Sequence, residues 1–390
     1  MLHTRFSFIR SLKLATSMVV ILLCSMVAGQ ASQAIGQYFV DSFKVMGAKS
    51  SGAETIIWSE HNDIVVISRL KIEGLDEDEN NITIAKVIIH SPRKSSDGGF
   101  TAVQLDLERL LVVNTEVKLR IASVASFDVN YPGPGSLEVT RGTEQFTGQY
   151  SKVNFQNVGL DLEELAAGIT IDGGSIVNRN FHEGLPHNTR LEISNLHLPI
   201  QLFENNPAGL MLKTLGYEAL NIDIESQSNF KLQDRIFSVD AVSVDIKNFG
   251  RFIVGIKIGG ISFSDLMSGD DRKMQTLLGT ATLVNAGITF EDSSITNRLI
   301  KYFANQNGIS TQSYRTKIEN QTHTGLSALR NPEFQNRATV EIATFLNNPE
   351  SIGFTIQPDA PIAPFAIAGM AFSAPGQLID LLKLRIFANK

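Results

Sequence analysis

Apolar and polar residues alternate over long stretches of this chain, with the period of a strand that covers one face. The clearest case is "RIFSVDAVSVDIKNFGRFIVGIKI", Arg235 to Ile258. Val242, Val244 and Ile246 fall on one face, and Phe252, Val254, Ile256 and Ile258 on one face of the following strand. A three-residue loop at Asn248–Gly250 would oppose Ile246 to Phe252, Val244 to Val254 and Val242 to Ile256. Both apolar sets then meet on one side, whereas a two-residue loop would put them on opposite sides. Phe237, Val239 and Ala241 run in the other phase, which predicts a bulge between Asp240 and Val242. Ser243, Asp245 and Lys247 are expected to face solvent, and Gly250 to hold a positive φ.

The same alternation fills the first half. "IVVISRLKI", "NITIAKVIIH", "AVQLDLERLLVV" and "EVKLRIASVASFDVNY" read as strands separated by "EGLDEDENN", "SPRKSSDGG" and "YPGPGS". "KVNFQNVGLDL" adds another, followed by a short helical segment around Leu162–Ala167, a turn at "DGGS" and the strand "TRLEISNLHLPI". The second half changes period. "NNPAGLMLKTLG" opens with Asn206 as cap and Pro207 as first helical residue. "EDSSITNRLIKYFANQNG" places Ile295, Leu299 and Phe303 on one helical stripe ending at Gly308, and "NPEFQNRATVEIATFLNNP" begins with Asn and Pro again. The expected fold is therefore mainly β with helices, an α+β chain of coiled antiparallel sheets whose helices gather in the second half. The expected organisation is a leading segment over residues 1–31, a β-rich region over 32–184 and a β-plus-helix region over 185–390, with a soft boundary or one continuous elongated domain.

The leading segment changes where such a fold is expected to work. Arg5, Arg10 and Lys13 precede an apolar run from Leu14 to Val27 and the small residues after it, the layout of a secretory signal with cleavage after Gly29 or Ala31. The alternative is an uncleaved N-terminal anchor that associates the chain with a membrane, although the apolar run is short for a span of about 20 residues. Cys24 follows Leu23, not the small residue a lipoprotein site needs, and it is the chain's one cysteine. A cleaved chain would therefore carry no disulfide, thiol nucleophile or thiolate metal site. The formal charge of −6 becomes three units more negative without the leading cations, and the densest cationic pair is Arg93 and Lys94, so nucleic acid is not an expected partner.

Little catalytic chemistry is written in the motifs. In "FHEGLPHNTR", His182 and His187 are five apart with Gly184 and Pro186 between them, whereas a helical zinc motif needs histidines four apart. Asp76, Asp78 and Asn80 alternate as calcium ligands do, but Asn81 stands where the loop needs glycine and Val87 where it needs glutamate. Asp270 and Asp271 lack further ligands nearby in sequence, and neither a G-x-S-x-G elbow nor a phosphate loop occurs. Trp58 is expected to pack beneath the first strands. No catalytic residue, metal ligand or cofactor is predicted.

The stretch "LNIDIESQSNFKLQDRIFSVDAVSVDIKNFGRFIVGIKIGGIS" and the closing "NPESIGFTIQPDAPIAPFAIAGMAFSAPGQLIDLLKLRIFANK" resemble uncharacterised envelope proteins of alphaproteobacteria. More distantly, the sheet pattern is similar to AsmA-like and YdgA-like periplasmic proteins. The resemblance spans Glu218–Lys390 and carries over no catalytic residue. It implies long sheets with an apolar groove that handle lipid, held by an N-terminal helix. The expectation is a non-catalytic periplasmic protein of a Gram-negative envelope, binding acyl chains or another envelope protein, or serving a structural role. The candidate apolar face comprises Val242, Val244, Ile246, Phe252, Val254 and Ile256. The alternative is a hydrolase with a dispersed active site.

Overall fold

The computed structural model describes residues 33–75, 80–135, 149–162, 168–182, 185–262 and 271–390. The leading segment, Asp76, Asp78, Asp270 and residues 163–167 of the expected short helix lie outside them. The protein is mainly β with helices. Its strands pair antiparallel, and seven of the eight α-helices among the described residues come after residue 206. The chain divides into two compact units. One is formed by the chain up to Pro186 with Leu191–Leu202, and the other by His187–Arg190 with Phe203–Lys390.

The first unit begins with α1 (Gln33–Val45). Its strands are β1 (Ser50–Gly52), β2 (Thr55–Ser59), β3 (Ile64–Leu75), β4 (Asn80–His90), β5 (Arg93–Lys94), β6 (Phe100–Val113), β7 (Val117–Tyr131), β8 (Lys152–Leu162), β9 (Ile169–His182) and β10 (Leu185–Pro199), the last divided between the units. They run in the order β1-β3-β4-β6-β7-β8-β9-β10, with β2 also on β3 and β5 on β6. Alternation builds the core: Val65, Ile67, Leu70, Ile72, Ile84, Val87, Ile89 and Leu105 have no exposed surface. Ile35, Phe39 and Phe43, four apart on α1, are equally buried against them. The Tyr131 hydroxyl donates to Ser42 Oγ at 3.0 Å, and Ser42 donates to the Phe39 carbonyl at 2.7 Å, which ties α1 to β7. Trp58 packs half-buried against this core.

A transverse crease crosses this sheet. In each of β3, β4, β6 and β7 the buried series skips one position, between Ile67 and Leu70, Ile84 and Val87, Leu107 and Leu110, and Ile121 and Val124. The pairing passes over Arg69 opposite Ala85, Ala85 opposite Arg109, Arg109 opposite Ala122, Ala122 opposite Asn157 and Asn157 opposite Asp172 without any change of register. Arg69, Arg109 and Asn157 hold φ of 49°, 52° and 50°, and Asn195 on β10 one of 49°. Asn195 donates its side-chain amide to Asp172 at 2.9 Å. One extra residue in a single strand would bend that strand and offset its partner. Matched extra residues in neighbouring strands bend the sheet and keep its ladders in step.

One expectation fails in this unit. The "DGGS" turn is instead the interior of β9. Gly174 is there because a Cβ would lie 2.4 Å from the Phe155 ring and 2.5 Å from the Glu192 carbonyl, so the glycine marks a close approach, not a bend. In "FHEGLPHNTR", β9 runs to His182 and β10 starts at Leu185.

The second unit has α2 (Pro207–Thr214), β11 (Ala219–Lys231), β12 (Ile236–Ile246), β13 (Gly250–Gly259), α3 (Asp271–Thr280), β14 (Thr282–Asp292), α4 (Ile295–Gln306), α5 (Thr311–Leu326), α6 (Pro332–Asn347), β15 (Ser351–Ile356), α7 (Pro364–Ser373), α8 (Pro375–Leu382) and β16 (Arg385–Ala388). Its sheet runs β11-β12-β13-β14-β15-β16. Asn206 and Asn331 cap α2 and α6 as the Asn-Pro starts predict, accepting from Ala208 N at 2.8 Å and Phe334 N at 3.0 Å. On α4 the buried stripe is Ile295, Thr296, Ile300 and Ala304, rotated from the expected Ile295, Leu299 and Phe303. Leu299 and Phe303 are half-buried; Phe303 stacks on Tyr314 of α5, at 6.0 Å between centroids. Asp271 opens α3.

Candidate functional site

The β12–β13 turn fixes the face on which the candidate residues stand. The three-residue loop is Lys247–Phe249, one position earlier than the alternation predicts, closed by Phe249 N donating to the Ile246 carbonyl at 2.9 Å. Asn248 takes the left-handed conformation at φ 60°. Ile246 therefore opposes Gly250, Val244 opposes Phe252, Val242 opposes Val254 and Val239 opposes Ile256, with the register shift falling between Val239 and Val242. The offset from the expected pairs is two residues, an even number, so all six candidate residues share one face. Ser243 departs from its expected exposure. It is 6% exposed and accepts a hydrogen bond from Arg251 Nε at 2.7 Å, because the Arg251 side chain folds over it.

Register extends this face across the sheet. Val242, Val254, Ile288, Phe354 and Ile386 form one row over five strands. Helices cover its surroundings. Leu277 of α3 packs with Phe230, Phe237 and Ile258, and Leu378 and Leu382 of α8, with Ile367 and Met370 of α7, pack with Leu283 and Ile356. Phe334 and Ala338 of α6 pack with Ile386. At the turn end, Phe249, Phe252, Phe290 and Phe345 form a chain of ring contacts, Phe252 to Phe290 being 4.7 Å between centroids. The turn carbonyls there are satisfied. Asn248 accepts from the Tyr217 hydroxyl at 2.8 Å and the Ser294 hydroxyl at 2.6 Å, and Phe249 accepts from the backbone N–H of Ser293, Ser294 and Ile295. The middle of the row is left uncovered: Val254 is 38% and Phe354 45% exposed, and Val242, Val244, Phe252, Ile256 and Ile288 are half-buried.

A second concave feature lies in the first unit, along the crease. It is an open depression of about 690 Å³ lined by Arg109, Lys118, Arg120, Ala122, Asn157 and Asp172 among others. Arg120 is paired with Asp161 at 2.8 Å. Pairing of β6 with β7 thus places Arg109, Lys118 and Arg120 together, a grouping that no contiguous run of Lys or Arg signals.

Polar groups elsewhere serve the fold. His90 Nε2 meets Asp106 at 2.8 Å, and the other Asp106 oxygen accepts from Gln104 at 2.7 Å, a tie between β4 and β6. His182 is exposed on β9, and His187 sits on β10 with its ring edge toward Phe230, 5.8 Å between centroids. Burial, with the Asp97 charge adding, pushes the Tyr38 hydroxyl up to about 12. Among the described residues, no group of three or more His, Cys, Asp and Glu is placed to hold a metal ion, and no helix is long and apolar enough to cross a membrane.

One surface went unremarked in the alternation pattern. Phe365 and Phe372 of α7 are 72% and 93% exposed. The sequence signal for it is the absence of any charged residue between Asp359 and Asp380.

A family model described only as "Uncharacterized protein" matches residues 243–389. That span holds Val244, Phe252, Val254, Phe354 and all of α7, and it leaves out Val242. No curated protein matches the chain.

Proposed function

We propose that this protein is a non-catalytic, exported envelope protein that holds lipid acyl chains on the apolar face of strands β12–β16. The uncovered middle of that face carries the reading. A row of aliphatic and aromatic side chains is walled by helices yet open over Val254 and Phe354. A sheet face that only served a core would be sealed, as in the first unit. Acyl chains suit such a floor because it offers carbon contacts from both β-branched and aromatic residues. The layout of residues 1–31 supports export to the periplasm.

The test is retention of lipid. Protein purified without detergent should release acyl chains on organic extraction at about one or more per chain, and a delipidated sample should take up a monomeric fluorescent fatty acid. Val254→Asp and Phe354→Asp should weaken that uptake about ten-fold, since a carboxylate opposes burial of an alkyl chain, and should leave the far-UV spectrum unchanged. Lipid-free protein that takes up no probe would sink the reading.

A further inference from the structure

The helix α7, "PFAIAGMAFS", is built unlike the others. It contains no charged residue, and it lies within a charge-free run of 20 residues, Ala360–Ile379. None of its residues is buried. Its inner side rests on the protein through Ile367 and Met370, which pack on the buried cluster of Ile362, Leu378 and Leu382 that Ile356 and Leu283 also join at one end of the apolar face. Its outer side carries Phe365 and Phe372. Seven residues bring these two back to the same side of the helix, roughly 10 Å apart along its axis, with small residues between them.

We propose that α7 is the element with which this protein docks on a lipid bilayer, Phe365 and Phe372 entering the boundary between headgroups and acyl chains. The inference deepens the lipid-binding reading and rests on it, since it supplies the source of the acyl chains. Continuity of the surface supports it. From the helix that carries the two phenylalanines, apolar side chains run through Ile367 and Met370 and the cluster of Ile362, Leu378 and Leu382 to Ile356, which stands two residues from Phe354 on the same sheet face. Charge decides among membranes. At the ends of the charge-free run Asp359 is paired with Lys383, and the Asp380 carboxylate accepts from the Asn331 amide at 2.9 Å. The chain as a whole is negative, so the bilayer that fits is zwitterionic, without a requirement for anionic headgroups. Ten helical residues reach only about 15 Å, half of a hydrocarbon core, so α7 lies in the interface and does not span. Apart from Ser373, whose hydroxyl is donated to the Gly369 carbonyl at 2.8 Å, α7 offers no side-chain hydrogen bond with which a protein partner would be recognised.

Flotation of the full chain with phosphatidylcholine vesicles tests the proposal. The protein should float with them, little affected by salt, and added anionic lipid should not strengthen binding. Phe365→Asp/Phe372→Asp should float about ten-fold less or worse. Both positions are exposed, so its thermal unfolding should match that of the unaltered chain. Two further readings separate this proposal from the lipid-binding one. The double variant should still take up the monomeric fatty acid, and Val254→Asp should lose that uptake and still float. Failure of the unaltered chain to float, equal flotation of the double variant, or self-association in solution that the two phenylalanines account for would each overturn the proposal.

Discussion

Asp97, between β5 and β6, holds two chain segments at once. One carboxylate oxygen accepts from the Ser95 hydroxyl and from Gly99 N at 2.9 Å, and the other accepts from Gly133 N at 2.9 Å. The Ser95 hydroxyl, opposed by partial desolvation and joined by the N–H groups of Gly133 and Gly99, holds this carboxyl below its usual range. A depressed folded value adds stability at pH above the unfolded value of about 4, and that stability is lost as pH falls through the folded value. Asp97→Asn should thus cost stability on the order of 1 kcal/mol at neutral pH. The gap to the unaltered chain in urea titrations should close in acid; a gap independent of pH would contradict the assignment. Tyr38 reports at the other extreme. Its hydroxyl is buried without a hydrogen-bond partner among the described residues, so Tyr38→Phe should be neutral or stabilising at pH 7. Because burial raises its ionisation to about 12, the unfolded chain loses that proton first, and the unaltered protein should lose stability above about pH 10. The Phe variant should lose less, and equal alkaline sensitivity of the two would refute this.

At the scale of single elements, the β12–β13 hairpin separates what alternation specifies from what it leaves free. Alternation set the faces, and a slip of two residues left them unchanged. It did not set the turn, because both Asn248 and Gly250 suit unusual backbone, and the left-handed position went to Asn248. Gly250 holds the expected positive φ, 156°, and a Cβ there would also lie 2.6 Å from the Glu291 carbonyl and 2.6 Å from the Phe290 ring. Gly250→Ala should therefore cost about 2 kcal/mol, while Asn248→Gly should be close to neutral. Thermal unfolding of the pair checks this, and a harmless Gly250→Ala would refute the close approach. Helix starts were legible where a specific device stands at them, and Asn331→Ala should cost about 1 kcal/mol by loss of its cap. The helix α5 was illegible because it buries no residue and so carries no apolar stripe.

Across the whole molecule, the two units differ in how their apolar surface is spent. The first gathers its side chains into one continuous core, many of them with no exposed surface, whereas the second has small separate clusters around the uncovered strip. Opening of the second should be easier. Amide hydrogen exchange should therefore be slowest in β3–β7 and faster in β12–β14, and bound acyl chains should slow the latter selectively; equal protection in both without ligand would count against the contrast. The alternation of β12 and β13 was legible in the sequence, and so was the face that their apolar residues share. The exposure of Val254 and Phe354 was not, since it depends on where α3, α6, α7 and α8 come to rest, which no local pattern encodes.

The crease in the first unit makes its strands hereditary companions. Deleting Arg69 alone would leave Ile67 and Leu70 two apart, still on the core face, but Ala85 of β4 would lose its match and one half of β3 would slip by a residue against its partner. The loss becomes tolerable only if β4 gives up a residue near Ala85, and β6 one near Arg109, and so on through the neighbours. A lineage descending from this fold can exchange these residues for others that accept the left-handed backbone, but it can lengthen or shorten the strands there only in concert, so the crease should outlast the sequence that forms it.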